Sequence, residues 1–571
     1  MSWREGLGRL PGVATARGYR REWLRSDVTA GLVLTALLIP AGMGYAEAAG
    51  LPAYAGLYAT IVPLLAYALV GPSKILVLGP DSSLAPLIAA AVLPLAVTGD
   101  PEEALALAGV LAVLVGLILL VGGFLNLGFV TELLSKPIRL GYLNAIALIV
   151  VVGQLPKLLG ISVDASGVLG EIAEIGQAVV GWEVDPLAAA VGVGSLAVIV
   201  GFRLWLPAVP GVLVAVIGAI VLSASAGLTD DIGMVGALPK GLPLPTIGGV
   251  DWQDVGHLIG PAAGIALIAF ADSGVLSRTF AARHGEDVNG STEMKAIGVA
   301  NVAGGLFGGF PVSASGSRTP VAEQSGARTQ LAGVVGALAV LLFVLVAPGV
   351  TAYLPDATLG AVVIVAATAL VDVRGMVAMW RMSTVEFGLA AAAFLGVALV
   401  GVLQGILVAI GLSFVAVVAQ AWQPYRTELV ETSDRPGFHD VVRHPDGKRI
   451  PGLVLVRFDA PLFFANGQIF DEYVRSVVAQ APTPVEWVVV AAEPITGLDT
   501  TAVDELVDLD TYLEGNGIRM AFAEMKGPVK DRLIRFGLGD RFDATHFYPT
   551  VEAAVAAFRS RGERSGYSAD S

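Results

Sequence analysis

Apolar runs of about 20 residues recur along this chain from Thr29 to about Trp422. Each is long enough to cross the ~30 Å hydrocarbon core of a bilayer as a helix. With 55% hydrophobic and 15% charged residues and a mean hydropathy of +0.73, the chain is far too apolar for a soluble protein of 571 residues. The last 150 or so residues return to ordinary soluble composition. The reading is a segment 1–28, a membrane domain 29–422, a polar linker 423–449, an α/β domain 450–561 and a disordered tail 562–571.

Several function classes drop out. The net charge is -14, but no basic stripe suits nucleic acid. The absence of cysteine removes disulfides, thiolate metal sites and cysteine nucleophiles, and the five histidines are scattered, so no metal centre and no cofactor is expected. No GxxxxGK[ST] loop occurs, which argues against ATP-driven transport, and nothing suggests an enzyme. Arg4, Arg9, Arg17, Arg20, Arg21 and Arg25 precede a full apolar span without a small-residue cleavage site, so the first helix reads as retained.

Hydropathy, punctuated by Gly, Pro and charge, gives about fourteen spans, beginning near residues 29, 50, 75, 104, 134, 186, 209, 257, 293, 312, 329, 357, 384 and 404. With the N-terminus inside, inner loops hold Lys74, Arg203, Arg278, Arg283, Arg328, Arg374 and Arg381. The outer loops hold many acids, Asp164 and Asp356 among them, against only Lys157 and Lys240. Lys and Arg set topology, so both termini are expected in the cytoplasm, consistent with a multi-pass protein of a bacterial plasma (inner) membrane.

Two spans are interrupted: Gly71 to Pro86 (GPSKILVLGPDSSLAP) and Gly304 to Ala322 (GGLFGGFPVSASGSRTPVA). Each is the third span of its half when the chain is divided between spans 7 and 8, as an inverted repeat of seven plus seven requires. In the first, Ile75 to Leu78 is strand-like, Gly79-Pro80 stops it, and Asp81, Ser82 and Ser83 offer N-cap chemistry. In the second, Phe310-Pro311-Val312 is extended and Ser313, Ser315 or Ser317 caps a following helix. Two half-helix N-termini then face each other near the midplane, bringing unpaired N–H groups and positive dipole ends around one point. Arg318 adds a charge at a depth where a guanidinium needs a cavity or a partner.

These residues closely resemble the SulP family of anion permeases, the sulfate permease or solute carrier 26 type. The likeness lies in Ile39 to Gly79, containing PAGMGYA and LGPDS, and in Phe280 to Thr319, containing AARHGEDVNG and GLFGGFPVSASGSRT. It runs from about Trp23 to Arg559. It implies a fourteen-span fold in which a core domain moves against a gate domain, a C-terminal STAS domain, and a homodimer. Family analogy places the substrate between spans 1, 3, 8 and 10, at Ala41, Tyr45, Gly79, Pro80, Asp81, Ser82, Ser315, Gly316, Ser317 and Arg318, with Asp272 in FADSG. Ala41 stands where many members carry glutamine, and Asp81 where many carry a small or uncharged residue.

Each site residue has a plainer alternative. Asp81 is an N-cap, or it competes with the anion until protonated or paired with a cation. Asp272, isolated in an apolar run, couples transport to H⁺ or to a Na⁺ bound near it, or makes a structural hydrogen bond. Arg318 holds the anion or pairs with Glu323. Tyr45 lines the substrate or merely packs. Glu293 and Lys295 read as caps or ion pairs at the start of span 9, and the glycines around Gly304, Gly305, Gly308 and Gly309 as close helix packing.

Beyond the linker, strands alternate with helices. The helix start Gly497-Leu498-Asp499-Thr500-Thr501-Ala502 resembles the STAS motif whose Ser or Thr is phosphorylated in bacterial anti-sigma-factor antagonists. Thr500 and Thr501 therefore read as N-caps or, Thr501 first, as a phosphorylation site, and the domain as a regulator or docking point for a cytoplasmic protein. The function expected is secondary active, alternating-access transport of a small anion. Sulfate comes first on family frequency, with bicarbonate or a C4-dicarboxylate as alternatives. A membrane sensor signalling through STAS, a channel-like conductor and a nucleobase carrier are the competing classes.

Overall fold

The computed structural model describes residues 11–96, 100–132, 135–163, 165, 167–206, 209–239, 251–432 and 436–566. Arg4, Arg9, Asp164 and Lys240 lie outside them. The chain forms two compact units, Met1–Ser413 and Phe414–Ser571.

The first unit opens with α1 (Pro11–Arg17), α2 (Leu24–Ala48) and α3 (Ala53–Val70). An extended stretch follows, ending in β1 (Leu78–Gly79) and leading into α4 (Ala85–Val92). Next come α5 (Pro101–Phe124), α6 (Lys136–Leu159), α7 (Val168–Val180), α8 (Pro186–Trp205) and α9 (Gly211–Ala226). The second half repeats the pattern: α10 (Trp252–Arg283), α11 (Gly290–Leu306), β2 (Ser313–Ala314), α12 (Arg318–Gln324), α13 (Leu331–Val346) and α14 (Asp356–Thr368). It closes with α15 (Val373–Met382) and α16 (Thr384–Leu399), and α17 (Val402–Trp422) begins in this unit and ends in the next.

A helical or strand–helix element stands at each of the fourteen starts read from the sequence. Seven helical segments among the described residues are long and apolar enough to cross a bilayer, one of them (Asp356–Met382) made of α14 and α15 together, and four shorter apolar helices accompany them. Packing repeats under exchange of each helix with its counterpart in the other half. α2 lies on α13 as α10 lies on α5, and α16 lies on α6 as α8 lies on α14. Two bodies result, one of α2–α5 with α10–α13 and one of α6, α8, α9, α14 and α16.

Glycine brings α5 and α11 together. A Cβ on Gly116 would stand 2.6 Å from the Gly298 carbonyl oxygen, and one on Gly305 2.4 Å from that of Gly109. The seven-residue spacing of Gly109 and Gly116 matches that of Gly298 and Gly305, so both pairs fall on one helical seam where backbones touch. Without a hydrophobic drive between helices in lipid, such close contact is what holds them.

In the second unit β3 (Arg426–Glu431), β4 (Phe438–Asp440), β5 (Leu453–Phe458), β6 (Trp487–Ala491), β7 (Arg519–Ala523) and β8 (Phe547–Tyr548) form one sheet of order β4-β3-β5-β6-β7-β8. β5 to β8 are parallel, and β3 is antiparallel to β5. α18 (Gly467–Ala479), α19 (Thr500–Gly515), α20 (Gly527–Arg535) and α21 (Val551–Gly566) cover it. The expected linker 423–449 therefore contains two sheet strands. Its polar composition reflects a short edge strand, β4, and the solvated positions of β3 beside it, while Leu429 and Val430 are buried. The expected tail is shorter than 562–571, because α21 runs to Gly566; residues 567–571 lie outside the described residues.

Candidate functional site

The two broken spans meet in a two-stranded antiparallel crossing, Leu78 opposite Ala314 and Gly79 opposite Ser313. Their free backbone groups are met by side chains of the surrounding helices. Asn301 on α11 accepts from the Val312 N–H at 2.8 Å and donates to the Val312 carbonyl at 3.0 Å. Gln330 donates to the carbonyls of Ser73 and Leu76, both at 2.9 Å. Ser273 Oγ on α10 accepts from the Ala314 N–H at 2.9 Å, and Thr319 Oγ1 from the Val77 N–H at 3.1 Å. Extended backbone inside a helical bundle is thus satisfied by protein.

The half-helix starts are more self-sufficient than the sequence suggests. Asp81 accepts from the Ser83 N–H at 3.2 Å and the Ser83 hydroxyl at 3.0 Å, closing a turn just ahead of α4, whose N-cap position is Leu84. Of Ser313, Ser315 and Ser317, Ser317 stands at the N-cap position of α12 without a side-chain cap bond, while Ser315 Oγ accepts from the Arg318 N–H at 3.3 Å. The expectation of unpaired N–H groups is corrected accordingly: the Ser83 and Arg318 N–H groups are met by local side chains.

The guanidinium of Arg318 is different. It is 1% exposed, donates through Nη2 to the Pro80 carbonyl, and leaves Nε and Nη1 without a hydrogen-bond partner among the described residues. Two buried, charged donors left unmade are costly unless an acceptor enters. The alternative pairing with Glu323 does not form; Glu323 accepts from Arg283 at 3.1 Å. Gly79 lies flat against the guanidinium. Its φ is +153°, and a Cβ there would stand 2.8 Å from Nη1.

The other expected residues gather here. Tyr45 on α2 is buried beside Asp81, Ser82 and Arg318. Ala41, one turn earlier, shares its face. Asp81 lies beside Arg318 and Ser315. Ser82 and Ser315 are buried, whereas Gly316 and Ser317 are exposed. Asp272 joins from α10: it accepts from Tyr142 Oη at 3.1 Å and lies near Asp81, Ser83 and Arg139. Tyr142 on α6 went unnoticed in the sequence, where an aromatic in an apolar helix is unremarkable. The described residues hold no group of three His, Cys, Asp or Glu suited to a metal ion. For a coupling Na⁺, the carboxylates of Asp272 and Asp81 and the Ser83 hydroxyl supply hard oxygen ligands of the right kind.

Glu293 also departs from its expected role. It is 1% exposed, and it accepts from Tyr67 Oη at 2.6 Å and Ser277 Oγ at 2.8 Å, tying α3, α10 and α11 together instead of capping at the surface. In the second unit, Asp499 is the cap of α19, accepting from the Ala502 N–H at 2.8 Å and the Phe464 N–H at 2.8 Å. Thr500 and Thr501 are therefore first-turn residues with exposed side chains, not N-caps.

A polytopic bundle whose two broken spans cross at a buried, under-coordinated arginine, followed by a separate α/β domain, defines a membrane carrier of anions. Residues 24–393 match the sulfate permease family and residues 444–554 the STAS domain, and the chain belongs to that family. It is a transporter and not an enzyme. A Mycobacterium tuberculosis protein named "Probable sulfate transporter" is 41% identical over 97% of this chain and 99% of its own. Sulfate transporter 1.3 of Arabidopsis thaliana is 27% identical over 96% of this chain and 86% of its own. Among solved structures, murine solute carrier 26 family member A9, an anion transporter in the inward-facing state, superposes with a TM-score of 0.89 at 22% identity, covering 98% of this chain and 95% of that one. The transmembrane domain of a cyanobacterial bicarbonate transporter gives a TM-score of 0.60 at 24% identity, over 69% of this chain and 98% of that one.

Proposed function

We propose that this protein is a secondary active carrier of sulfate, coupled to H⁺ or Na⁺, with the anion bound at Arg318 between the crossed segments. The partnerless Nε and Nη1 of the buried guanidinium carry this reading, because they present two charged donors to a tetrahedral oxyanion. Sulfate is preferred to bicarbonate or a C4-dicarboxylate on the name of the mycobacterial relative. The body of α2–α5 with α10–α13 moves as the core against the other body as the gate, giving alternating access. Asp272 and Asp81 take the coupling cation.

The basic residues of the inner loops favour cytoplasmic termini in a plasma membrane. The protein acts as a homodimer, and its STAS domain regulates or recruits a cytoplasmic partner, with exposed Thr501 as the phosphorylation site. The test is uptake of labelled sulfate, bicarbonate and fumarate into proteoliposomes under imposed H⁺ or Na⁺ gradients, with Arg318→Ala and Asp272→Asn alongside. Concentrative uptake of sulfate, lost in both variants, is expected. Ligand-induced stabilisation without uptake of any anion would move the reading to a sensor, and current far above carrier turnover to a conductor.

A further inference from the structure

Glu47, Lys157 and Asp356 cluster at one end of the membrane unit, where three helices end or begin. Glu47 is in the last turn of α2, Lys157 in the last turn of α6, and Asp356 is the first residue of α14. Lys157 Nζ lies 2.8 Å from Glu47 Oε2, and the two side chains are 34% and 11% exposed. Asp356 is near enough to act electrostatically on both.

These residues divide unequally between the two bodies. α2 packs with α3 and α13, whereas α6 packs with α14, α8 and α16. The Lys157 stem lies along α14, where a Cβ on Gly360 would stand 3.5 Å from Lys157 Cβ, one turn beyond Asp356. Asp356 is fixed to the same body through its N–H, which donates to the Gly233 carbonyl at 3.0 Å. The Lys157–Glu47 pair therefore crosses the boundary between the bodies, and a Lys157–Asp356 pair would not. α2 and α14 approach closely at this boundary, where a Cβ on Gly44 would stand 2.6 Å from Val363 Cγ2.

We propose that Lys157 is a partner-exchanging latch: it holds Glu47 while this end of the carrier is closed, and passes to Asp356 when the bodies slide and that end opens. The inference rests on the transport reading above, since a bundle that does not move needs no exchange. Two carboxylates competing for one ammonium keep it paired in both positions, which lowers the cost of separating Lys157 from Glu47 in a partly buried setting.

Because the chain has no cysteine, Glu47→Cys with Lys157→Cys can be bridged by a short bifunctional methanethiosulfonate in proteoliposomes. Bridged protein is expected to lose labelled-sulfate uptake by about tenfold or more, the range of an allosteric coupling, with recovery on reduction. A charge-reversal series supports or overturns the exchange independently. Glu47→Lys with Lys157→Glu restores the crossing pair but sets two carboxylates together on α6 and α14, so uptake stays about tenfold down until Asp356→Lys is added. Full recovery in the double reversal would show a simple ion pair without exchange. Undiminished uptake by bridged protein would remove the latch while leaving transport intact. Failure of the unmodified protein to move sulfate, bicarbonate or fumarate would overturn the transport reading and the latch together.

Discussion

Gly79→Ala tests whether backbone shape at the crossing sets the position of the Arg318 guanidinium. The new methyl would stand 2.8 Å from Nη1, well inside the ~3.5 Å of an ordinary contact. The φ of +153° is one that an L-residue adopts only with strain of about 1–3 kcal/mol, and overpacking of a filled site costs about as much again. Nη2 is tied to the Pro80 carbonyl, so the guanidinium cannot swing away freely, and relief comes from shifting both the strand and the donors. A loss of about 1.4–2.8 kcal/mol in anion binding corresponds to a dissociation constant raised about 10- to 100-fold. Sulfate titration calorimetry on purified protein reads this directly. Gly218→Ala, at an exposed helical glycine with nothing within 4 Å of its Cβ position, should bind as wild type does. If Gly79→Ala binds sulfate normally while Arg318→Ala does not, the glycine does not position the guanidinium.

Three further substitutions probe the scaffold. Asn301→Ala strands the buried N–H and carbonyl of Val312, each worth about 1–3 kcal/mol, and should lower the thermal midpoint of the membrane unit more than Asn301→Asp, which keeps one acceptor. Tyr67→Phe leaves Glu293 with Ser277 as its hydroxyl partner, and a loss of about 1–3 kcal/mol is expected in denaturant unfolding; Glu293→Gln with intact Tyr67 should cost less. Asp499→Ala removes the cap of α19 and should destabilise the STAS unit by about 1 kcal/mol, whereas Thr501→Ala, at an exposed first-turn site, should leave its melting unchanged.

Gly and Pro punctuation exposed both broken spans, and a charge inside the second marked Arg318. The pairing of Leu78 with Ala314 was not legible, because strand partners more than 230 residues apart leave no local periodicity. Asn301 was readable in part: a lone amide in an apolar helix implies a buried polar duty, though not that Val312 is its partner. Glu293 misled because an acid in a first helical turn normally reads as a dipole or cap residue, and its partners Ser277 and, from the other half of the chain, Tyr67 make it a buried link. Thr500 and Thr501 misled by one position, since three consecutive residues, Asp499 among them, have cap chemistry and only the loop geometry at Phe464 selects the aspartate. The strands within 423–449 were hidden by the polarity of the edge strand β4 and of the solvated face of β3.

The charges at the site argue for coupling in their own right. Asp81 and Asp272 lie near each other, Arg318 lies beside Asp81 and Arg139 near Asp272, so with both carboxylates ionised the cluster is neutral before sulfate adds two negative charges. Uncompensated charge in a site away from water costs several kcal/mol per ion, which no number of neutral hydroxyl donors recovers. Anion entry is therefore expected to bring cations with it, either protons to the carboxylates or Na⁺ between them. The linkage is measurable without transport: the slope of log sulfate affinity against log Na⁺ activity at fixed pH, and against pH at fixed Na⁺, counts the cations taken up. Asp81→Asn and Asp272→Asn should each lower that count by about one and remove part of the pH dependence of uptake. If sulfate affinity in the unmodified protein is flat against both cations, the carboxylates are structural and the carrier exchanges anions without a coupling ion.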